Sequence, residues 1–129
     1  MSNWGFVYCM SNDSMPGLLK IGYTTKSPLG RAEELSSSSG VPEPFSVLFY
    51  IETKNPYQLE QSIHEELYRK RPNDLREFFR ISDEELYEIF NKIDLYDGLL
   101  MQSTFYQGIL MERRFSESKS ISRAKVEEE

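Results

Sequence analysis

At 129 residues, with 39% hydrophobic and 13% aromatic content, the chain is long enough for one domain with a real core and too apolar to be disordered. One cysteine and one histidine exclude a disulfide framework and a Cys/His zinc site, and no run of about 18 apolar residues marks a membrane span. The net charge of −6 counts against binding driven by phosphate neutralisation, and Met1-Ser2-Asn3-Trp4 lacks the features of a secretion signal, so cytoplasmic residence is expected.

Gly5-Phe6-Val7-Tyr8-Cys9-Met10 and Gly17-Leu18-Leu19-Lys20-Ile21-Gly22-Tyr23-Thr24 both have strand character, and the turn-rich Ser11 to Gly17 lies between them. This is a β-hairpin signal. Pairing Met10 with Leu18 sets Tyr8 opposite Lys20 on one face. Val7, Cys9, Leu19 and Ile21 then form an aliphatic face ready for burial, where Cys9 needs no chemical role. Ser27-Pro28 reads as an N-cap and first-turn proline opening a short helix with Leu29, Ala32 and Leu35 as its apolar stripe. Ser36 to Gly40 stops that helix, with Gly40 a candidate left-handed terminator.

Phe45 to Ile51 is apolar, β-branched and aromatic, which predicts a third strand buried on both faces. Asn55-Pro56 opens a helix to about Arg71 that buries Leu59, Ile63 and Leu67, and Pro72-Asn73-Asp74 ends it. Glu77 to Ile81 is either a minor strand or a loop against the core. Ser82 with Glu85 forms a capping box for a helix to about Leu95, with Leu86, Ile89, Phe90 and Ile93 inward. Leu99-Leu100-Met101 and Phe105 to Met111 suggest one more helix, packed on the domain or on a partner.

The order of elements predicts an α/β (α+β) domain on a small three-stranded antiparallel sheet flanked by helices. Residues 1–97 form the domain, 98–115 an extra helix or the contact segment for a homo-oligomer or partner protein, and 116–129 a disordered tail. Five basic residues, Arg69, Lys70, Arg71, Arg76 and Arg80, fall close together and offset the acidic balance locally.

Val7-Tyr8 and Lys20-Ile21-Gly22 together resemble the two signature strands of the GIY-YIG nuclease superfamily, above all its T5orf172 branch, in which a lysine opens the second signature. Arg31, the Glu60-x-x-x-His64 pair and Glu77 before Phe78-Phe79 extend the resemblance over about residues 5–82. Glu77 follows Arg31 by 46 positions (77 minus 31). The resemblance implies metal-dependent hydrolysis of phosphodiesters in nucleic acid, DNA rather than RNA, with one Mg²⁺ or Mn²⁺ held by Glu77. It implies Tyr8 as proton acceptor for the attacking water and Arg31 on the scissile phosphate. Lys20 would favour the phenolate or bind phosphate, and His64 would position substrate or Tyr8. Glu60 would lie towards the substrate, with Tyr23 as an alternative second tyrosine.

Each of these side chains also has an ordinary reading. A strand tyrosine such as Tyr8 or Tyr23 usually packs, and a strand lysine is usually an edge charge. Arg31 can pair with a helix glutamate, and Glu77 with Arg76 or Arg80. His64, with Glu60 one turn earlier, can be a hydrogen-bonded histidine at the margin of the core. Asn91 has the loose spacing of a supporting asparagine, though a surface position suits it as well. A non-catalytic module that binds nucleic acid or protein is therefore the alternative function, and dimerisation through Leu99 to Met111 a third.

Overall fold

The computed structural model describes residues 4–37, 40, 43–71 and 77–128, with side chains at all of these except 94–97 and 120–128. Five strands, β1 (Gly5–Asn12), β2 (Leu19–Thr24), β3 (Phe45–Thr53), β4 (Phe78–Phe79) and β5 (Gly98–Gln102), form one antiparallel sheet in the order β4-β2-β1-β3-β5. Four α-helices accompany it: α1 (Pro28–Ser36), α2 (Pro56–Glu66), α3 (Asp83–Asp97) and α4 (Thr104–Glu128). The mixed α/β expectation holds, and the three-stranded sheet is corrected to five strands.

Hairpin β1–β2 forms as the alternation predicts, but its register differs by two residues. Met10 pairs with Lys20, and Tyr8 with Gly22. Side-chain direction repeats every two residues, so this shift leaves both faces unchanged while removing Lys20 from the position opposite Tyr8. Val7, Cys9, Leu19 and Ile21 join Phe49, Ile51 and Phe79 on one face, beneath Ile63 and Leu67, Leu86 and Phe90 of α3, and Tyr106 of α4. Tyr8, Met10 and Val47 lie on the other face with Ala32 of α1. A bulge between Cys9 and Met10 makes Met10 pair with Val47 rather than Leu48, so Leu48 stays in the main core beside Phe49.

The helix starts follow local chemistry. The Ser27 hydroxyl accepts from the Gly30 amide at 3.0 Å ahead of Pro28, and the Ser82 hydroxyl from the Glu85 amide at 3.1 Å. Each such cap is worth about 1 kcal/mol. Asn55 precedes α2 without a side-chain cap. In α1, Ala32 is buried but Leu29 is 66% exposed, so the apolar stripe is narrower than its spacing suggested. Gly40 has φ +90°, the left-handed conformation expected, although α1 has already ended at Ser36. α2 ends at Glu66 and continues as a 3₁₀ turn, Tyr68–Lys70; the proposed stop at Pro72-Asn73-Asp74 lies outside the described residues.

The largest departure is beyond Asp97. Leu99-Leu100-Met101 forms strand β5, not a helix, and pairs along β3 from Thr53↔Gly98 to Phe49↔Gln102. Without β5, the outer edge of β3 would leave a row of backbone groups unpaired. Gly98 permits the approach, since a Cβ there would meet the Glu52 carbonyl oxygen and Ile51 Cγ2, each at 2.5 Å. Ser103 then closes the corner: its amide donates to the Leu48 carbonyl at 2.9 Å, and its hydroxyl accepts from the Tyr106 amide at 3.0 Å, capping α4. The backbone of α4 runs on to Glu128, across the stretch where composition suggested disorder. After Gly108 the stretch has neither glycine nor proline, so nothing local breaks the helix. Among the described residues no helix is long and apolar enough to cross a membrane.

Candidate functional site

Tyr8 sits at the centre of the sheet with 1% of its surface exposed. Its ring lies across Gly22, where a Cβ would fall 2.6 Å from Tyr8 Cζ. The glycine in Lys20-Ile21-Gly22 therefore has a steric purpose, because any side chain there would displace the phenol. Burial pushes the phenol pKa up to about 12; a hydrogen bond from Arg31 acts the other way, and the charges of Glu77 and Glu60 add to the rise. Lys20 is not among the leading influences on this pKa. Arg31 is the nearby cation that favours the phenolate, and burial outweighs it.

Arg31 projects from α1, the helix on the Tyr8 side of the sheet. Besides acting on the phenol, it donates to Glu34 Oε2 at 3.1 Å, one turn along, leaving its guanidinium partly exposed. Lys20 has turned to Glu77. Its Nζ makes an ion pair with Glu77 Oε2 and lies 5.2 Å from the Phe78 ring centre. Lys20 is largely buried, whereas the Glu77 side chain is 42% exposed.

β4 is what delivers Glu77. Phe79 is fully buried, Leu19 pairs with Phe79, Lys20 pairs with Phe78, and the Ile21 amide donates to the Glu77 carbonyl at 2.9 Å. The two-residue strand thus begins just after Glu77 and sets it beside Lys20. The ordinary reading in which Glu77 pairs with Arg76 falls outside the described residues.

Beyond Lys20, β2 has no strand partner on its outer side, and side chains of α2 take that place. His64 Nε2 lies 2.8 Å from the Ile21 carbonyl. A carbonyl only accepts, so Nε2 carries the hydrogen and Nδ1 is turned towards Glu60 Oε1, 3.7 Å away. Glu60 is 3% exposed, its Oε1 accepts from Gln61 at 2.8 Å, and its Oε2 has no partner among the described residues. Burial, then the charge of Glu77, raises its pKa to about 7. Burial lowers that of His64 against the opposing effects of the Ile21 carbonyl and Glu77. The Glu60/His64 pair thus caps the edge of β2 and forms the inner wall of an open cleft of about 580 Å³, which Glu77, Tyr68 and Arg71 also line.

Tyr8, Lys20, Arg31, Glu60, His64 and Glu77 are therefore gathered into one region from four elements, β1, β2, α1 and α2, and the residue preceding β4. Tyr23 is not among them: it falls on the opposite face of β2 from Tyr8 and meets Tyr57 edge-on at 5.5 Å. Asn91 is exposed on α3. Two contributors carry no functional signal of their own in the sequence. Gly22 stands there only as part of a signature strand. Arg71 stands only as one of a basic run, yet its charge reaches His64 and it shares the cleft with Glu77.

The side chain placed to meet a cation is Glu77, half-exposed and with Oε2 engaged by Lys20. Among the described residues no group of three or more His, Cys, Asp or Glu side chains is placed to hold a metal ion together. A single carboxylate open to water fits a mostly hydrated Mg²⁺, which needs only one or two carboxylates, and does not fit a tight protein cage.

The family model of the T5orf172 domain matches residues 5–94, which includes every residue of this site. Neither a curated protein nor a solved structure matches the chain significantly.

Proposed function

The chain belongs to the T5orf172 domain family, and from that premise we propose that it is a cytoplasmic, metal-dependent endonuclease acting on nucleic acid, with DNA the preferred substrate. The observation that carries this reading is the gathering of a buried tyrosine with an arginine, and of a lysine–glutamate pair whose Glu77 lines an open cleft with Glu60 and His64. Such a set meets the requirements of phosphodiester hydrolysis: a proton acceptor for water, positive charge on the non-bridging oxygens, and a way to neutralise the leaving oxygen.

Arg31, partly exposed beside the Tyr8 hydroxyl, would donate to the scissile phosphate and hold the charge that grows on it. Tyr8, as phenolate, would take a proton from the attacking water while the water oxygen bonds to phosphorus and the bond to the leaving oxygen breaks. Glu77 would hold Mg²⁺ or Mn²⁺, which supplies charge at the phosphate and acidifies water. Lys20 holds Glu77 in place through their ion pair. His64 and Glu60 fix the edge of β2, and so the position of Lys20 and Gly22 beneath Tyr8.

The non-catalytic reading also has an observation in its favour. Lys20 already neutralises Glu77, and Tyr8 is buried with a raised pKa, an arrangement that is satisfied without substrate. Cleavage of single- and double-stranded DNA with Mg²⁺ or Mn²⁺ decides between the two. Metal-dependent cutting by the wild type, abolished in Glu77→Ala and Tyr8→Phe while both stay folded, is expected. Folded wild type that cuts nothing with either ion would favour the binding module instead.

A further inference from the structure

The net charge of −6 leaves little affinity to be gained from phosphate neutralisation along a duplex. A strand with unpaired bases can be held in another way, by stacking on exposed aromatic rings backed by a few cations. One wall of the Glu77 cleft has this composition. Tyr68 and Arg71, at either end of the 3₁₀ turn after α2, line it together with Glu77 and His64.

Tyr68 is 58% exposed. The ring is braced by Arg69, whose guanidinium carbon lies 5.8 Å from the ring centre and whose Nε donates to the hydroxyl at 3.2 Å. Arg71 is held over the Phe79 ring at 5.7 Å. Phe79 is fully buried in the core, so this guanidinium is anchored rather than free to swing. Lys70, between the two, is paired with Glu85 at 3.3 Å, whereas Arg69 and Arg71 make no ion pair among the described residues. Arg71 does so although Glu60, Glu65 and Glu77 line the same cleft.

We propose that Tyr68 and Arg71 form a subsite for an unpaired nucleotide next to the scissile phosphate, the base stacking on Tyr68 and its phosphate meeting Arg71, so that the preferred substrate is a nucleic-acid strand with unpaired bases. The proposal rests on the nucleic-acid reading of this cleft but not on cleavage. It is tested by fluorescence anisotropy of a labelled thymidine oligonucleotide of about 12 nucleotides, against a hairpin duplex of equal length, in EDTA. The wild type should bind the single strand more tightly than the hairpin. Tyr68→Ala should lose between about 5- and 150-fold in affinity with an unchanged salt dependence, and Tyr68→Phe should keep the affinity. Arg71→Ala should reduce the slope of log affinity against log salt by about 0.7, the mark of one lost phosphate contact.

Equal or tighter binding of the hairpin, no binding of either, or a Tyr68→Ala variant that binds like the wild type would each overturn the subsite. A wild type that shows the expected binding but cleaves nothing supports the subsite and rejects the hydrolase reading alone.

Discussion

Gly22 shows how a residue without a side chain sets the candidate chemistry. The Tyr8 ring occupies the space that a Cβ would take. Gly22→Ala should therefore destabilise the fold by about 1–3 kcal/mol, the usual cost of overpacking, and impair cleavage at least as much as Tyr8→Phe. Urea unfolding together with the cleavage assay checks both; an alanine accepted at no cost would mean that Tyr8 does not lie over β2. Glu60 makes a prediction about pH. Its folded pKa of about 7 lies above the ordinary 4.5, so between these values the folded state binds more protons than the unfolded one. Its contribution to stability is present below about pH 4.5 and is lost as pH rises through about 7. Relative to Glu60→Gln, the wild type should lose up to ~3 kcal/mol between pH 4.5 and pH 8 in urea titrations. Parallel pH profiles for the two proteins would show that Glu60 titrates as an exposed carboxylate does.

At the scale of elements, the seam between α3 and α4 closes the sheet on the side of β5. The Tyr106 hydroxyl donates to Asp83 Oδ2 at 2.7 Å, and Arg113 reaches the same carboxylate at 2.8 Å. Burial alone would raise the Asp83 pKa, but these hydrogen bonds outweigh it and the pKa is lowered. A lowered carboxylate stabilises the fold above its unfolded pKa and loses that contribution as pH falls through the folded value. Tyr106→Phe should accordingly cost about 1.5–3 kcal/mol at neutral pH, and the difference from wild type should shrink below about pH 4. Thermal unfolding at pH 7 and pH 3 measures it, and a pH-independent difference would assign the cost to packing instead.

For the whole molecule, the relevant contrast is between the part of α4 that packs and the part that does not. Tyr106 is buried and Leu110 contacts the core, whereas residues 111–119 are exposed throughout. A chain ending after Arg114 keeps the Asp83–Arg113 contact and should unfold within a few degrees of the full chain, since little buried surface is lost. A larger drop in Tm would show that the remainder of α4 covers part of the domain or of a second copy. Met111 and Phe115 are exposed, as are Leu99 and Phe105.

The sequence by itself determined what depends on neighbours a few residues apart. The hairpin, the serine caps before α1 and α3, the inward stripe of α2 and the core face of β1 follow from alternation, helical spacing and capping chemistry. The tyrosine, lysine, arginine and glutamates of the site were legible only because a family pattern names their positions. Tertiary structure decided everything that depends on distant partners. Lys20 meets Glu77 across 57 positions, the β1–β2 register sets Gly22 and not Lys20 opposite Tyr8, and β5 becomes a strand because β3 has an open edge for it. Local propensity cannot report these, because each is a choice between alternatives of similar local energy, settled by backbone groups and charges that folding brings together.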